Sequence, residues 1–144
     1  MDVQIRLCET DDVSAIYELN RQEMWYDYAV EKTAEKLERL LKSEADRIFV
    51  AVVDGNVVGY VHARDYDVIY APQYKDILGI AVFAAYKKMG IGRALLTAVE
   101  EWAKESGAAG IRLVSGSVRT GAHEFYRRCG YNGDKQQINF KKKF

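Results

Sequence analysis

Two glycines and three cations lie close together near the middle of the chain, in Tyr86-Lys87-Lys88-Met89-Gly90-Ile91-Gly92-Arg93-Ala94. They precede the strongest helical pattern of the sequence, in which Leu95, Val99 and Trp102 share one face. The first amides of a helix lack intrahelical acceptors, the helix dipole favours negative charge there, and glycine lets a ligand approach the backbone. The segment therefore predicts an anion site, and pyrophosphate is the anion that fits it best.

The common nucleotide motifs do not account for this turn. Gly90-Ile91-Gly92 lacks the third glycine of a dinucleotide-binding turn, and no Gly-Lys-Ser/Thr ending of a P-loop follows it. A nucleoside triphosphate is therefore not the predicted ligand. For two glycines alone, an ordinary strand-to-helix turn with solvated lysines remains the alternative, so the surrounding sequence has to distinguish the two.

A second helix carries aromatic residues near the C-terminus. Ala122, Phe125, Tyr126 and Cys129 are spaced as one helix face, and Gly130 is suited to ending the helix. Aromatic residues at this spacing usually pack in a core. Spacing alone therefore predicts packing rather than catalysis.

Carboxylates and aromatic rings alternate in two further segments. One contains Glu23, Trp25, Tyr26, Asp27 and Tyr28, and the other contains Asp65, Tyr66, Asp67, Tyr70 and Tyr74. Such surfaces attract a cationic amine through charge and cation–π contacts. Ordinary surface tyrosines are the alternative.

The elements that must position these residues follow from periodicity and turn signals. Strands are predicted at 3–8, 47–53, 57–64, 76–83, 111–114 and 137–144, and helices at 10–24, 34–43, 90–107 and 122–129. Asp54-Gly55-Asn56 predicts a hairpin turn, 65–75 a loop or an irregular strand end, and Gly79 a bulge or a close backbone approach. The order predicts a mixed-sheet α/β fold in which the strands before and after the helix at 90–107 are parallel.

Composition limits the partners. The 144 residues fit a single domain, 1–144, and the 21 Lys and Arg balance the 21 Asp and Glu, so no overall field recruits nucleic acid or a membrane. The N-terminus lacks the pattern of a leader, and no apolar run approaches the roughly 20 residues that span a bilayer. Cys8 and Cys129 lack metal-site spacing. We expect a cytoplasmic protein without a metal.

Tyr86 to Leu96 resembles the acetyl-CoA pyrophosphate loop of GNAT superfamily N-acetyltransferases, with Lys87 at a position that is usually Arg or Gln. Arg119-Thr120-Gly121-Ala122-His123-Glu124-Phe125-Tyr126-Arg127-Arg128-Cys129-Gly130-Tyr131 resembles the second signature of that family, with Arg119 where Asn is frequent. The element order matches across nearly the whole chain. The resemblance implies a mixed, mostly antiparallel sheet flanked by about four helices.

The resemblance also implies acetyl-CoA as the cosubstrate. It assigns cofactor contacts to Ala81, Val82, Lys87, Lys88, Met89, Gly90, Ile91, Gly92, Arg93, Ala94, Arg119, Ala122 and Tyr126. Tyr126 becomes the general acid for the departing thiolate, because a phenol, with a pKa of about 10 against about 8.5 for a thiol, keeps its proton at neutral pH. Backbone amides near Val82 would stabilise the oxyanion.

The base and the acceptor are less defined by the sequence. Asp76 and Glu23 are the carboxylate candidates for the base, and His62 and His123 are further candidates. The resemblance places the acceptor against the first two helices and the loop before the central strand, which predicts a small cationic amine. The residues predicted to contact it are Glu23, Tyr26, Asp27, Tyr28 and Tyr66.

Other functions stay open at this point. A peptide or protein amine would satisfy the same chemistry, and a domain that binds acyl-CoA without turnover would keep the same fold. An RNA acceptor is a further alternative, indicated by the basic runs Lys141-Lys142-Lys143 and Arg127-Arg128. The zero net charge disfavours it. Homodimers are common in the family, and Ile138, Phe140 and Phe144 could complete the sheet of this chain or of a partner.

Overall fold

A computed structural model describes residues 2–144 and contains five strands and four α-helices. In chain order they are β1 (Gln4–Leu7), α1 (Val13–Glu23), α2 (Val30–Leu41), β2 (Asp46–Val53), β3 (Asn56–Tyr66), β4 (Tyr74–Val82), α3 (Ile91–Glu105), β5 (Gly110–Leu113) and α4 (Thr120–Arg128). The strand order across the sheet is β1-β2-β3-β4-β5. The first three pairs are antiparallel and β4–β5 is parallel, which confirms the predicted mixed sheet.

The chain forms two compact units. The first extends to Leu113 and contains the whole sheet with α1, α2 and α3. The second, Val114–Phe144, contains α4. No helix among residues 2–144 has the length and apolar character that a membrane span requires.

The β2–β3 hairpin forms at the predicted turn. Asp54 and Gly55 have φ of 50° and 78°, and Val53 pairs with Asn56 across this two-residue loop. Positive φ at both central residues matches the twist of the flanking strands, and glycine adopts it without steric cost. The turn therefore fixes the register of the two central strands.

Strand β4 is irregular where the sequence predicted a bulge. Ile77 pairs with Ala63 and Gly79 with His62, so Leu78 is an extra residue on β4. On its other side β4 pairs with β5 only from Tyr74 to Ile77. The sheet therefore opens along β4 from Leu78 to Val82, immediately before the glycine loop, residues 83–93, which contains Gly90 and Gly92.

The helices cover both faces of this sheet. Leu19 and Leu37, from α1 and α2, pack with Val50 and Tyr60 on one face. Gly59, the neighbour of Tyr60, faces the other side, where a Cβ would lie 3.4 Å from Leu95 of α3. Apolar burial of this kind contributes about 2 kcal/mol for each fully buried leucine, and it holds β3 and β4 between two helical layers.

Two sequence predictions need correction. β3 and β4 continue to Tyr66 and from Tyr74, so the predicted loop at 65–75 is shorter at both ends. Residues 137–144 form no strand, because an alternating pattern supplies the side chains but not the partner backbone that a strand must pair with. Ile138 and Phe140 are accordingly exposed.

Candidate active site

The glycine loop ends in a helix N-terminus without a side-chain cap. Gly90 is the N-cap of α3 with φ of 83°, and Lys88 also lies in the left-handed region with φ of 64°. The first helical hydrogen bond runs from the Ala94 amide to the Gly90 carbonyl at 3.0 Å. The three amides of residues 91–93 are therefore without intrahelical acceptors, and the alternating backbone before them shapes an anion-binding concavity.

The open edge of β4 supplies further backbone groups. The Phe83 amide donates to the Val58 carbonyl of β3 at 2.9 Å, so by strand alternation the amides and carbonyls of Ile80 and Val82 point away from β3. On that side β5 no longer pairs with β4. An extended ligand that carries its own amides could hydrogen-bond along this edge and reach the glycine loop.

Glu23, a candidate for the base, is engaged by that loop. One carboxylate oxygen accepts from the Ala84 amide at 3.1 Å, and the other lies 3.0 Å from the Lys87 ammonium. The Glu23 side chain is only 12% exposed, whereas that of Lys87 is 56% exposed. Glu23, the last residue of α1, thus links the end of this helix to the start of the glycine loop.

Asp76, the other carboxylate candidate, belongs to a row of alternating charges across four strands. The row is Asp46 on β2, Arg64 on β3, Asp76 on β4 and Arg112 on β5, each directly opposite the next. Arg112 pairs with Asp76 at 3.0 Å. Burial raises the pKa of Asp76 although Arg112 and Arg64 oppose the shift, so this carboxylate is a better proton acceptor than an ordinary aspartate.

Both histidine candidates are already hydrogen-bonded. The His62 Nε2 lies 2.8 Å from the Asp46 carboxylate, which also accepts from the Ser43 hydroxyl at 2.7 Å. His123, on α4, has its Nε2 2.9 Å from the Gly116 carbonyl. Each ring therefore has one nitrogen committed to a structural contact.

The second unit carries Tyr126 on α4 as predicted. Its ring lies 5.3 Å from that of Phe125 and 6.3 Å from that of Tyr131. Burial raises the pKa of the Tyr126 phenol, against the opposing charge of Arg119 at the helix N-cap. The phenol therefore stays protonated well above neutral pH, as a general acid requires.

The segments with acids and aromatic rings are each braced internally. In the α1–α2 connection, the Tyr17 hydroxyl donates to Asp27 at 2.8 Å, and Trp25, Tyr26 and Tyr28 are exposed. At the end of β3 and beyond it, interaction with the neighbouring Tyr66 hydroxyl raises the pKa of Tyr70. Residues 24–28 and 65–70 share no hydrogen bond or ion pair in the described part of the chain.

Sequence reasoning missed the two arginines beside Asp76. The Arg112 guanidinium lies 4.1 Å from the centre of the Tyr66 ring, so the face of a predicted substrate contact is already stacked by a cation. Arg64 is exposed beside Asp76. The sequence does carry one signal, because Arg112 interrupts the short apolar strand Ile111 to Val114.

Among residues 2–144, no three His, Cys, Asp or Glu side chains come together as an ion site.

Comparison with known proteins identifies the family. The model of the acetyltransferase (GNAT) family matches residues 10–131. An uncharacterised N-acetyltransferase of Methanocaldococcus jannaschii is 35% identical over 95 residues, 64% of this chain but 42% of that protein, so this chain spans less than half of its length. Aminoglycoside N(6′)-acetyltransferase type 1 of Stenotrophomonas maltophilia is 29% identical over 113 residues, 73% of this chain and 74% of that protein.

Solved structures agree on the fold. An aminoglycoside N-acetyltransferase in complex with a CoA bisubstrate analogue has a TM-score of 0.89 and 18% identity, with 100% of both chains covered. At this identity the similarity concerns the fold alone. With the family model matched over most of its length, the chain belongs to the acetyltransferase (GNAT) family.

Proposed function

We propose that this chain transfers the acetyl group of acetyl-CoA to a primary amine, with a small cationic amine as the acceptor. The observation that carries the proposal is the uncapped N-terminus of α3, with left-handed Lys88 and Gly90, at the end of an open β4 edge. The loop suits the pyrophosphate, and the edge suits the amides of the pantetheine arm. The aminoglycoside acetyltransferase named above makes an amine acceptor the natural choice.

The proposed reaction takes place in a ternary complex. The neutral amine attacks the thioester carbonyl carbon, the carbon–sulfur bond breaks, and the sulfur takes a proton from Tyr126. The amine loses a proton to a base, for which we favour Asp76 over Glu23, because burial raises the pKa of Asp76 even beside Arg112. Amide donors near Val82 would stabilise the oxyanion.

A second acceptor class has a specific observation in its favour. Arg64 and Arg112 flank Asp76, so two guanidinium groups border this one carboxylate. Such a surface suits an amine that also bears a carboxylate, as in an amino acid or a peptide. The acceptor panel must therefore contain matched amines with and without a carboxylate.

The cofactor site is tested first by isothermal titration with acetyl-CoA. Gly90→Ala places a Cβ at a left-handed position in the loop and should weaken binding about five- to thirtyfold, since the strain of such a residue costs about 1–2 kcal/mol. Gly107→Ala is the matched control, because Gly107 has φ of 77° at the opposite end of the same helix. Equal loss in both variants, or no binding to the parent, would remove the proposed site.

Thiol release is then followed with acetyl-CoA and a panel of polyamines, aminoglycosides, amino acids and peptides. Saturable release that depends on the amine supports the transferase function and selects the acceptor class. If acetyl-CoA binds but no amine in the panel accelerates thiol release, the domain that binds acyl-CoA without turnover becomes the better interpretation.

A further inference from the structure

We propose that Glu23 is a positioning residue that couples occupancy of the glycine loop to the conformation of the α1–α2 connection, residues 24–29. The proposal rests on the cofactor site proposed above. In the unliganded protein Glu23 holds the Lys87 ammonium, and the bound pyrophosphate draws that ammonium away. The end of α1 is then released, and the connection beyond it rearranges.

Glu23 connects two segments that are distant in sequence. Its carboxylate accepts from the Ala84 amide, 61 residues along the chain, and from Lys87. Lys87 lies three residues before Gly90, in the loop expected to bind pyrophosphate. A carboxylate and a phosphate compete for one ammonium because both are anions, and the more highly charged phosphate is the stronger partner.

The negative charge of Glu23 becomes unfavourable once the Lys87 ammonium has moved away. Its side chain is only 12% exposed, and a nearby pyrophosphate repels it. The Ala84 amide alone does not compensate a carboxylate that has lost its counter-ion. The terminus of α1 is therefore expected to move when the loop is occupied.

The backbone that follows Glu23 is strained. Trp25 has φ of 64°, which is unfavourable for a bulky side chain, and its ring is 89% exposed. Contacts on both sides impose this conformation: the Tyr60 hydroxyl lies 3.7 Å from the Met24 sulfur, and the Tyr26 amide donates to the Asn20 carbonyl at 3.0 Å. Release of Glu23 loosens the contact between Tyr60 and Met24. The environment of the Trp25 ring should therefore change.

The test measures the affinity for acetyl-CoA and the tryptophan fluorescence of the full chain. Glu23→Gln keeps an oxygen for the Ala84 amide but loses the charge that holds Lys87. It should bind acetyl-CoA about two- to fivefold more tightly, the range expected for an ion pair of this exposure. Glu18→Gln is the matched control, because Glu18 pairs with Arg21 on the same helix at 2.7 Å, away from the loop; it should bind acetyl-CoA like the parent.

Fluorescence supplies a result that a purely structural role would not produce. Acetyl-CoA should change the emission of the parent, and Trp25→Phe should remove that change, which assigns it to Trp25 rather than buried Trp102. Glu23→Gln should show the altered emission before the cofactor is added and no further change after it. Rescue of the parent response by Glu23→Asp would support the charge-based coupling.

Contrary results separate the two proposals. If Glu23→Gln binds acetyl-CoA no more tightly than the parent, or keeps the Trp25 response, the coupling is wrong while the cofactor site stands. If the folded parent does not bind acetyl-CoA, the cofactor site and the coupling fail together. Melting curves of each variant confirm that the folded protein is being compared.

Discussion

At the residue scale, the proposed reaction places its clearest demand on Tyr126, its proposed general acid. Tyr126→Phe keeps the ring in its contacts with Phe125 and Tyr131 but removes the proton that the thiolate needs. The turnover number should fall by about 10²- to 10⁴-fold, the range for a lost general acid, while the dissociation constant of acetyl-CoA stays unchanged. Steady-state kinetics and isothermal titration on the same preparation check both halves.

The pH dependence adds a second measurement on the same residue. Burial raises the pKa of Tyr126 above its ordinary value of about 10, so the phenol keeps its proton to higher pH. Activity should therefore be lost only above this raised pKa. This alkaline limb should be absent from the residual activity of Tyr126→Phe. An identical limb in both proteins would assign the proton to another group.

A second residue-scale prediction concerns the buried Asp12 carboxylate. Burial disfavours its charge, but hydrogen bonds from Arg6 at 2.8 and 3.0 Å and from the Glu9 amide at 2.8 Å outweigh that cost and lower its pKa. A lowered pKa contributes stability that is present above the unfolded pKa, near 4, and is lost as the pH falls through the folded value.

Asp12→Asn should therefore lower the free energy of unfolding by about 2 kcal/mol at pH 7, since a hydrogen-bonded charge contributes about 1.5–3 kcal/mol. The deficit should shrink as the pH falls below about 4 and through the lowered pKa of the folded state, where the parent loses the same interaction. Asp11→Asn is the control, because Asp11 is the exposed neighbour in the same turn. Urea unfolding at several pH values measures the difference, and a deficit that does not vary with pH would contradict the assignment.

The residues of the candidate site differ in how far the sequence could predict them. The glycine loop was recognisable because its glycines, cations and helix are contiguous, and Tyr126 because its signature is contiguous. The pairing of Glu23 with Lys87 and the charge row through Asp76 were not, since each joins residues that the fold alone brings together. Roles for single carboxylates therefore could not be assigned from residue type.

At the element scale, β3 and β4 must approach closely beside the open edge. A Cβ on Gly59 would lie 2.9 Å from the Ala81 carbonyl oxygen, a backbone atom that cannot rotate away. Gly59→Ala should thus destabilise the fold by about 1–3 kcal/mol, the usual cost of overpacking. Gly79→Ala is the matched control on β4, because its Cβ would meet Met24 and Tyr60 only at 3.5 and 3.6 Å. Equal unfolding free energies for the two variants would contradict this description.

Elements were predictable where their determinants are local. The hairpin turn at Asp54-Gly55 and the helix ending at Gly107 follow from nearby residues and formed as predicted. The ends of β3 and β4 did not, because Tyr66 belongs to a strand only through its pairing with Tyr74, which itself pairs with Tyr66 and with Gly110 of β5. The tail from Gln137 failed for the same reason, since alternation says nothing about an available partner.

At the scale of the whole molecule, charge is balanced, with 21 basic and 21 acidic side chains. Attraction of an anionic cosubstrate must therefore come from the glycine loop and its lysines rather than from an overall field. The same balance disfavours an RNA acceptor, whose phosphates need an extended basic footprint.

Ligand binding should appear in the stability of the molecule by mass action. A cosubstrate that binds only the folded state at 100 times its dissociation constant adds about 2.7 kcal/mol, which for a chain of this size raises Tm by about 10 °C. Differential scanning fluorimetry with acetyl-CoA should show this rise in the parent and in Gly107→Ala. Gly90→Ala should show only about one third to two thirds of it at the same concentration, because a dissociation constant about five- to thirtyfold weaker leaves about 0.9–1.8 kcal/mol by the same relation. A rise of equal size in all three proteins would mean that acetyl-CoA stabilises the fold from somewhere other than the N-terminus of α3.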